Sequence, residues 1–143
     1  MNILGIVGSV RKESIHKQIL KHYKEIAKDY FELSEGSIVE LPMFDGENTD
    51  NTAVVKLAEQ VANADGVIFF SPEYNYSIPG SLKNALDHLS IVSSQPFVGK
   101  PAAIVGASPG AAGTAALARR SPPLRLGLPS TVAAATDTGI GPG

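Results

Sequence analysis

Short apolar runs and longer amphipathic stretches take turns along this chain. Residues 3–7, Ile-Leu-Gly-Ile-Val, form a brief apolar run closed by Gly8, the pattern of a strand buried on both faces. From Ser14 to about Tyr30 the rhythm becomes helical, with Ile15, Ile19, Leu20, Tyr23, Ile26 and Ala27 at three- and four-residue steps. Ser14 stands where its hydroxyl can cap the first turn. Phe31 to Leu41 predicts a second strand, followed by Pro42 and the polar loop 45–52. Ala53 to Ala64 predicts a second helix, with Val54, Leu57, Ala58 and Val61 on one stripe. Gly66 to Phe70 is the clearest buried strand, ended by Ser71-Pro72. A helix over Gly80 to Leu89 and a fourth strand over Pro101 to Ala107 complete the alternation.

Alternating strands and helices of these lengths predict an α/β fold, a parallel sheet with helices on both faces. Ligands of such sheets sit beyond the carboxyl ends of the strands, where the strand order reverses. The pattern fails after about residue 118. Residues 121–143 hold only Arg125 and Asp137 as charges and are rich in Pro, Gly, Ala, Ser and Thr. The expectation is one domain over 1–118 and an irregular tail over 119–143, with a fifth strand doubtful. So abrupt a shift of composition is what a change of reading frame would produce.

Composition narrows the functions open to this fold. The chain has 143 residues, 43% of them hydrophobic and 18% charged, enough for one packed core. Twelve basic against fourteen acidic residues give a net charge of −2, which argues against nucleic acid as a partner. With no Cys and three scattered His (His16, His22, His88), no metal site is expected. No apolar run nears the roughly 18 residues of a membrane span, and no signal pattern leads the chain, so the expectation is a cytoplasmic protein.

Candidate chemistry lies in the strand-end loops. Gly8-Ser9-Val10-Arg11-Lys12-Glu13-Ser14 gathers two hydroxyls, a guanidinium and the N–H groups of a helix start, a set suited to a phosphate. An ordinary turn with a capping serine would use the same residues, and both readings stay open here. The spacing is neither a dinucleotide fingerprint nor a P-loop, so a monophosphate fits better than a pyrophosphate. In the loop 71–80, Pro72 and Pro79 bracket Glu73-Tyr74-Asn75-Tyr76-Ser77-Ile78. Two tyrosines there offer flat amphipathic surface to an aromatic ligand, or simply pack the next helix. Gly106-Ala107-Ser108-Pro109-Gly110 has the form of a nucleophile elbow, but an esterase of that type needs a His after its Ser, and all three His precede Ser108. Asp87 and His88 are adjacent on a helix and cannot face one another; His88 reads as an exposed or partly buried helix position.

Gly8-Ser9-Val10-Arg11-x-x-Ser14, followed by Ser71-Pro72-Glu73-Tyr74-Asn75-Tyr76-Ser77-Ile78-Pro79-Gly80-Ser81-Leu82-Lys83-Asn84-Ala85-Leu86-Asp87, resembles the NADPH-dependent FMN reductase family, which includes flavodoxin-like quinone, chromate and azo-dye reductases. The resemblance covers roughly residues 1–118. It implies a three-layer flavodoxin-like fold of strand order 2-1-3-4-5, with FMN as cofactor and NADPH or NADH as co-substrate. Ser9, Arg11 and Ser14 match the family's phosphate-binding positions; position 16, often Asn in the family, is His16. Pro72, Glu73, Tyr74, Asn75 and Tyr76 match the loop along the isoalloxazine ring, and Ser108 matches a third loop near the flavin.

The activity so implied is hydride transfer from the nicotinamide to FMN and on to a small-molecule acceptor, a quinone, flavin, azo compound or oxidised metal ion, by a homodimer or homotetramer. No side chain is assigned a catalytic role, because the cofactor carries the chemistry; Glu73 reads as a structural or solvated carboxylate. The alternatives are a flavin-binding electron carrier or sensor without turnover, and an inactive remnant with an altered C-terminus.

Overall fold

A computed structural model of the chain describes residues 1–107 and the strand 132–136. Among these described residues the elements in order are β1 (Asn2–Val7), α1 (Ile15–Ala27), β2 (Glu32–Gly36), α2 (Thr52–Asn63), β3 (Gly66–Phe70), α3 (Gly80–Ile91), β4 (Ala102–Gly106) and β5 (Val132–Thr136). They form one sheet of order β2-β1-β3-β4-β5, and every neighbouring pair is parallel. This is the flavodoxin-like arrangement. Strand order reverses between β1 and β3, so their carboxyl ends open the crevice where such sheets hold ligands.

Period-2 alternation divides the core between the two faces of the sheet. Leu4 and Ile6 of β1 and Val67 and Phe69 of β3 pack with Val54, Leu57 and Val61 of α2 and with Leu82, Leu86 and Leu89 of α3. On the opposite face Val7, Phe70, Leu33 and Val105 pack with Leu20, and Ile19 and Tyr23 of α1 close over them. At Gly5 an added Cβ would sit 2.7 Å from a Leu20 methyl, so α1 lies nearly on the backbone of β1.

The departures from the sequence reading have local causes. β2 ends at Gly36 rather than Leu41 because β1, its one partner among the described residues, pairs with it only as far as Ile6↔Gly36; Ile38 beyond it still enters the core. The fifth strand, doubtful by pattern, is β5, in register from Ala102↔Val132 to Gly106↔Thr136. Its Val-Ala-Ala-Ala-Thr sequence carries almost no hydrophobic contrast, so main-chain pairing with β4 specifies it and periodicity could not. The expected boundary between domain and tail, at 118 and 119, falls outside the described residues.

His88 corrects the sequence reading. It is only 1% exposed, and its Nε2 donates to the Pro42 carbonyl at 2.8 Å. The same carbonyl accepts from Asn84 Nδ2 at 2.9 Å, and Asn84 Oδ1 accepts from the Phe44 amide at 2.8 Å. Asn84 and His88, one turn apart on α3, therefore clamp the loop that follows β2. The partners lie 42 and 46 residues away, beyond the reach of any local pattern.

Candidate functional site

Three segments meet at the carboxyl edge of the sheet. Residues 8–14 leave β1, residues 71–79 leave β3, and Ala107 follows β4. The first two are tied together closely. The Gly8 amide donates to the Phe70 carbonyl at 2.8 Å, and Ser81 Oγ at the start of α3 donates to the Gly8 carbonyl at 2.8 Å. A Cβ at Gly8 would stand 2.4 Å from Ser71 Oγ and 2.9 Å from Ser71 Cβ. Gly8 is therefore required by close approach of two loops, and any side chain there must drive them apart. The Ser71 amide in turn donates to the Val105 carbonyl at 3.0 Å, fixing the β3 end against β4.

In the first segment Ser9 is buried and its Oγ accepts from the Arg11 amide at 3.3 Å, which folds the loop over itself. Arg11 is exposed, its guanidinium at the surface of the loop. Ser14 is buried at the N-cap of α1 with extended backbone, but its side chain makes no capping hydrogen bond. This corrects the expectation of a self-capped helix. The Ser14 hydroxyl is not spent on the first turn, and among the described residues no side chain caps that end of α1. Hydroxyls, first-turn amides and a guanidinium in one loop are the donor set that holds a phosphate.

His16 lies one residue into α1 and is 2% exposed. Its Nε2 accepts from the Ala107 amide at 3.2 Å, so the ring joins the first segment to the end of β4. Burial lowers its pKa below the ordinary histidine value. Accepting at Nε2 requires the neutral ring, with its proton on Nδ1.

The second segment, residues 71–79, contains a tight hairpin turn. Tyr74 and Ser77 exchange both main-chain hydrogen bonds, each 3.0 Å, across Asn75 (φ 50°) and Tyr76 (φ 61°). Two successive left-handed residues are the geometry of a type I′ turn, which ordinarily takes Asn and Gly. Asn75 suits its place; Tyr76 does not, and a left-handed non-glycine residue stores roughly 1 kcal/mol. Tyr76 is 73% exposed, so core packing does not account for it. Tyr74 and Asn75 are also exposed, while Pro72 and Glu73 are half-buried. Replacing Tyr76 by Val is expected to lower stability by about 1 kcal/mol, whereas Tyr76→Gly should not lower it, both read from urea unfolding midpoints.

The structure thus brings Ser9, Arg11, Ser14 and His16 into one loop and helix start, and Pro72 to Tyr76 into the neighbouring loop. Ser108 lies outside the described residues. Ser71, Ser81 and the Ala107 amide also build this edge and were not singled out from the sequence. Ser71 and Ser81 both stand in the long motif that carries the family resemblance, but neither was given a role of its own there. Among the described residues no group of three or more His, Asp or Glu could hold a metal, and no helix is long and apolar enough to cross a membrane.

Comparison with known proteins agrees with this geometry. A quinone reductase of Escherichia coli K12 is 38% identical over 120 residues, covering 80% of this chain and 64% of that protein. An NAD(P)H-dependent FMN reductase of Pseudomonas aeruginosa is 40% identical over 121 residues, with the same coverage of 80% and 64%. Among solved structures, the flavoenzyme NAD(P)H:(acceptor) oxidoreductase FerB of Paracoccus denitrificans superposes with a TM-score of 0.76 at 33% identity, over 83% of this chain and 67% of that one. The chain thus spans just under two thirds of the length of these two sequence relatives. The sequence model of one family matches residues 1–133, and this stretch contains both strand-end loops just described. On that match the chain belongs to the NADPH-dependent FMN reductase family.

Proposed function

We propose that the chain binds FMN at the carboxyl edge of its sheet and acts as an NAD(P)H-dependent oxidoreductase toward a small-molecule electron acceptor such as a quinone. The observation that carries this reading is the Gly8–Ser71 approach, which sets a loop of phosphate donors beside a loop of exposed aromatic residues. The residues fit the group. Ser9, Arg11, Ser14 and the first-turn amides of α1 would hold the phosphate, with the Ser14 hydroxyl left unused by its own helix. The type I′ turn leaves the amides of Asn75 and Tyr76 outside the Tyr74–Ser77 pair, available to the polar edge of a ring.

When bound, FMN supplies the hydride-accepting and hydride-donating chemistry. The protein's part is to bind, orient and shield. Pro72 narrows the conformations of the ring loop before binding, which lowers the ordering entropy lost when a ligand arrives. Tyr74 and Tyr76 would supply flat amphipathic surface to shield a bound ring from water, and Arg11 would offset the phosphate charge with a planar fork of donors. No side chain is required as an acid or base. An acceptor broad in kind, a homodimer or homotetramer and a cytoplasmic location belong to the same proposal.

Absorption spectra of the purified protein, before and after FMN addition and desalting, test the first half. Flavin bands that stay with the protein are expected, and a colourless protein would overturn the reading. Steady NADPH oxidation with a quinone tests the second half; flavin retained without turnover would make the chain a carrier. Arg11→Ala is expected to weaken FMN binding by about 10- to 100-fold, the range of a lost charge-assisted hydrogen bond. Riboflavin, which lacks the phosphate, should bind both proteins alike. Equal losses for the two ligands would remove Arg11 from the phosphate site.

A further inference from the structure

His16 does something that a phosphate loop does not itself require. It is buried at the start of α1, yet its acceptor reaches the other side of the site, to the Ala107 amide 91 residues away. We propose that His16 is a positioning residue whose neutral imidazole latches the end of β4 to the phosphate loop, so that tight FMN binding requires Nε2 to remain an acceptor. The inference rests on the FMN reading above and adds to it a specific residue and a protonation state.

The chemistry of the bond gives the latch its direction. Ala107 can only donate through its amide, so Nε2 must present a lone pair. A proton on Nε2 would set two N–H donors against each other across 3.2 Å, and the bond would be lost. The ring is nearly free of solvent, so a charged imidazolium also lacks hydration there. Both effects favour release of Ala107 when His16 is charged.

Among the described residues, the titratable groups of the surrounding elements are Arg11, Lys12 and Glu13 in the preceding loop, Lys17 and Lys21 on the same helix, and Glu73 in the adjoining loop; β1 and β4 carry none. Burial is what lowers the histidine pKa. The latch is therefore closed at neutral pH and opens as pH falls through a value below the ordinary 6.5.

The test compares wild type, His16→Gln and His16→Leu by FMN fluorescence quenching at about pH 7.5 and at the acidic pH where nitrogen-15 imidazole spectra of wild type show both ring nitrogens of His16 protonated. FMN itself gains a phosphate proton near pH ~6, so some weakening is expected in every protein, and Gln supplies the reference. A glutamine amide oxygen can accept from Ala107 at either pH. His16→Gln should match wild type at the higher pH and bind about tenfold more tightly than wild type at the lower one. His16→Leu should bind about tenfold more weakly than wild type at the higher pH. Should the leucine variant fail to fold by circular dichroism, the wild-type and Gln comparison still decides. Nitrogen-15 imidazole spectra of wild type should show His16 protonated on Nδ1 alone at neutral pH. Equal pH dependence in wild type and Gln, or an Nε2-protonated ring, would overturn the latch while leaving the FMN reading intact. Absence of FMN binding by wild type at both pH values would instead overturn the FMN reading, and the latch with it.

Discussion

Gly8→Ala is expected to weaken FMN binding by about 100-fold and to lower stability by about 2 kcal/mol, the range for overpacking a tight contact. The added carbon would fall 2.4 Å from Ser71 Oγ and 2.9 Å from Ser71 Cβ. Rotation of Ser71 about its Cα–Cβ bond can move Oγ but not Cβ, so it cannot clear both contacts. The backbone must separate instead, straining the 2.8 Å bonds from the Gly8 amide to Phe70 and from Ser81 to the Gly8 carbonyl. Phosphate loop and ring loop then stand at the wrong separation for one ligand. Even a shift of about 1 Å in a preorganised site is enough for such a loss. FMN titration and urea unfolding measure the two effects. Gly80→Ala is the control: nothing lies within 4 Å of its new Cβ, and both quantities should stay near wild type. Wild-type FMN affinity in Gly8→Ala would show that the two loops do not act as one site.

Phe70→Ala should remove about 4 kcal/mol of stability, within the range for emptying a fully buried aromatic position. Phe70 has 0% exposure and meets Tyr23 of α1 edge-to-face, with ring centroids 5.4 Å apart. Among the described residues the core on this face is the smaller of the two, so few neighbours can close over the space left behind. The loss is read from urea midpoints with an unchanged m-value. Tyr23→Phe, which keeps the ring and removes only an oxygen, should cost less than about 1 kcal/mol by comparison. A loss under about 1 kcal/mol in Phe70→Ala would mean that α1 is held to the sheet by other contacts.

The strands and helices were legible wherever burial is written as repetition. Gly66 to Phe70 is apolar throughout because both its faces are covered, and α2 shows its stripe because only one side of it is. Strand order was legible in another way, through the long motif after β3, which carries a family resemblance that periodicity does not. Less legible was whatever depends on residues distant in the chain. The length of β2 is set by its partner β1, the burial of His88 by Pro42 and Phe44, and the existence of β5 by the open side of β4. At the site, residue types named the chemistry of Ser9, Arg11 and Ser14. They could not tell that Ser14 leaves its helix uncapped, or that His16 turns toward Ala107 rather than solvent. Those outcomes depend on atoms that meet only after the sheet is assembled.

The hydrogen bonds that join the site span 73 residues from Gly8 to Ser81 and 91 from His16 to Ala107. On a ribosome the segment carrying the phosphate donors emerges first and has nothing to close against. At about 5–20 residues per second, Ala107 follows His16 out by roughly 5–20 s. During that interval the nascent chain holds half a site. Cofactor capture on the proposed reading is thus timed to the later part of synthesis, and a chain arrested before β4 emerges should leave the ribosome colourless.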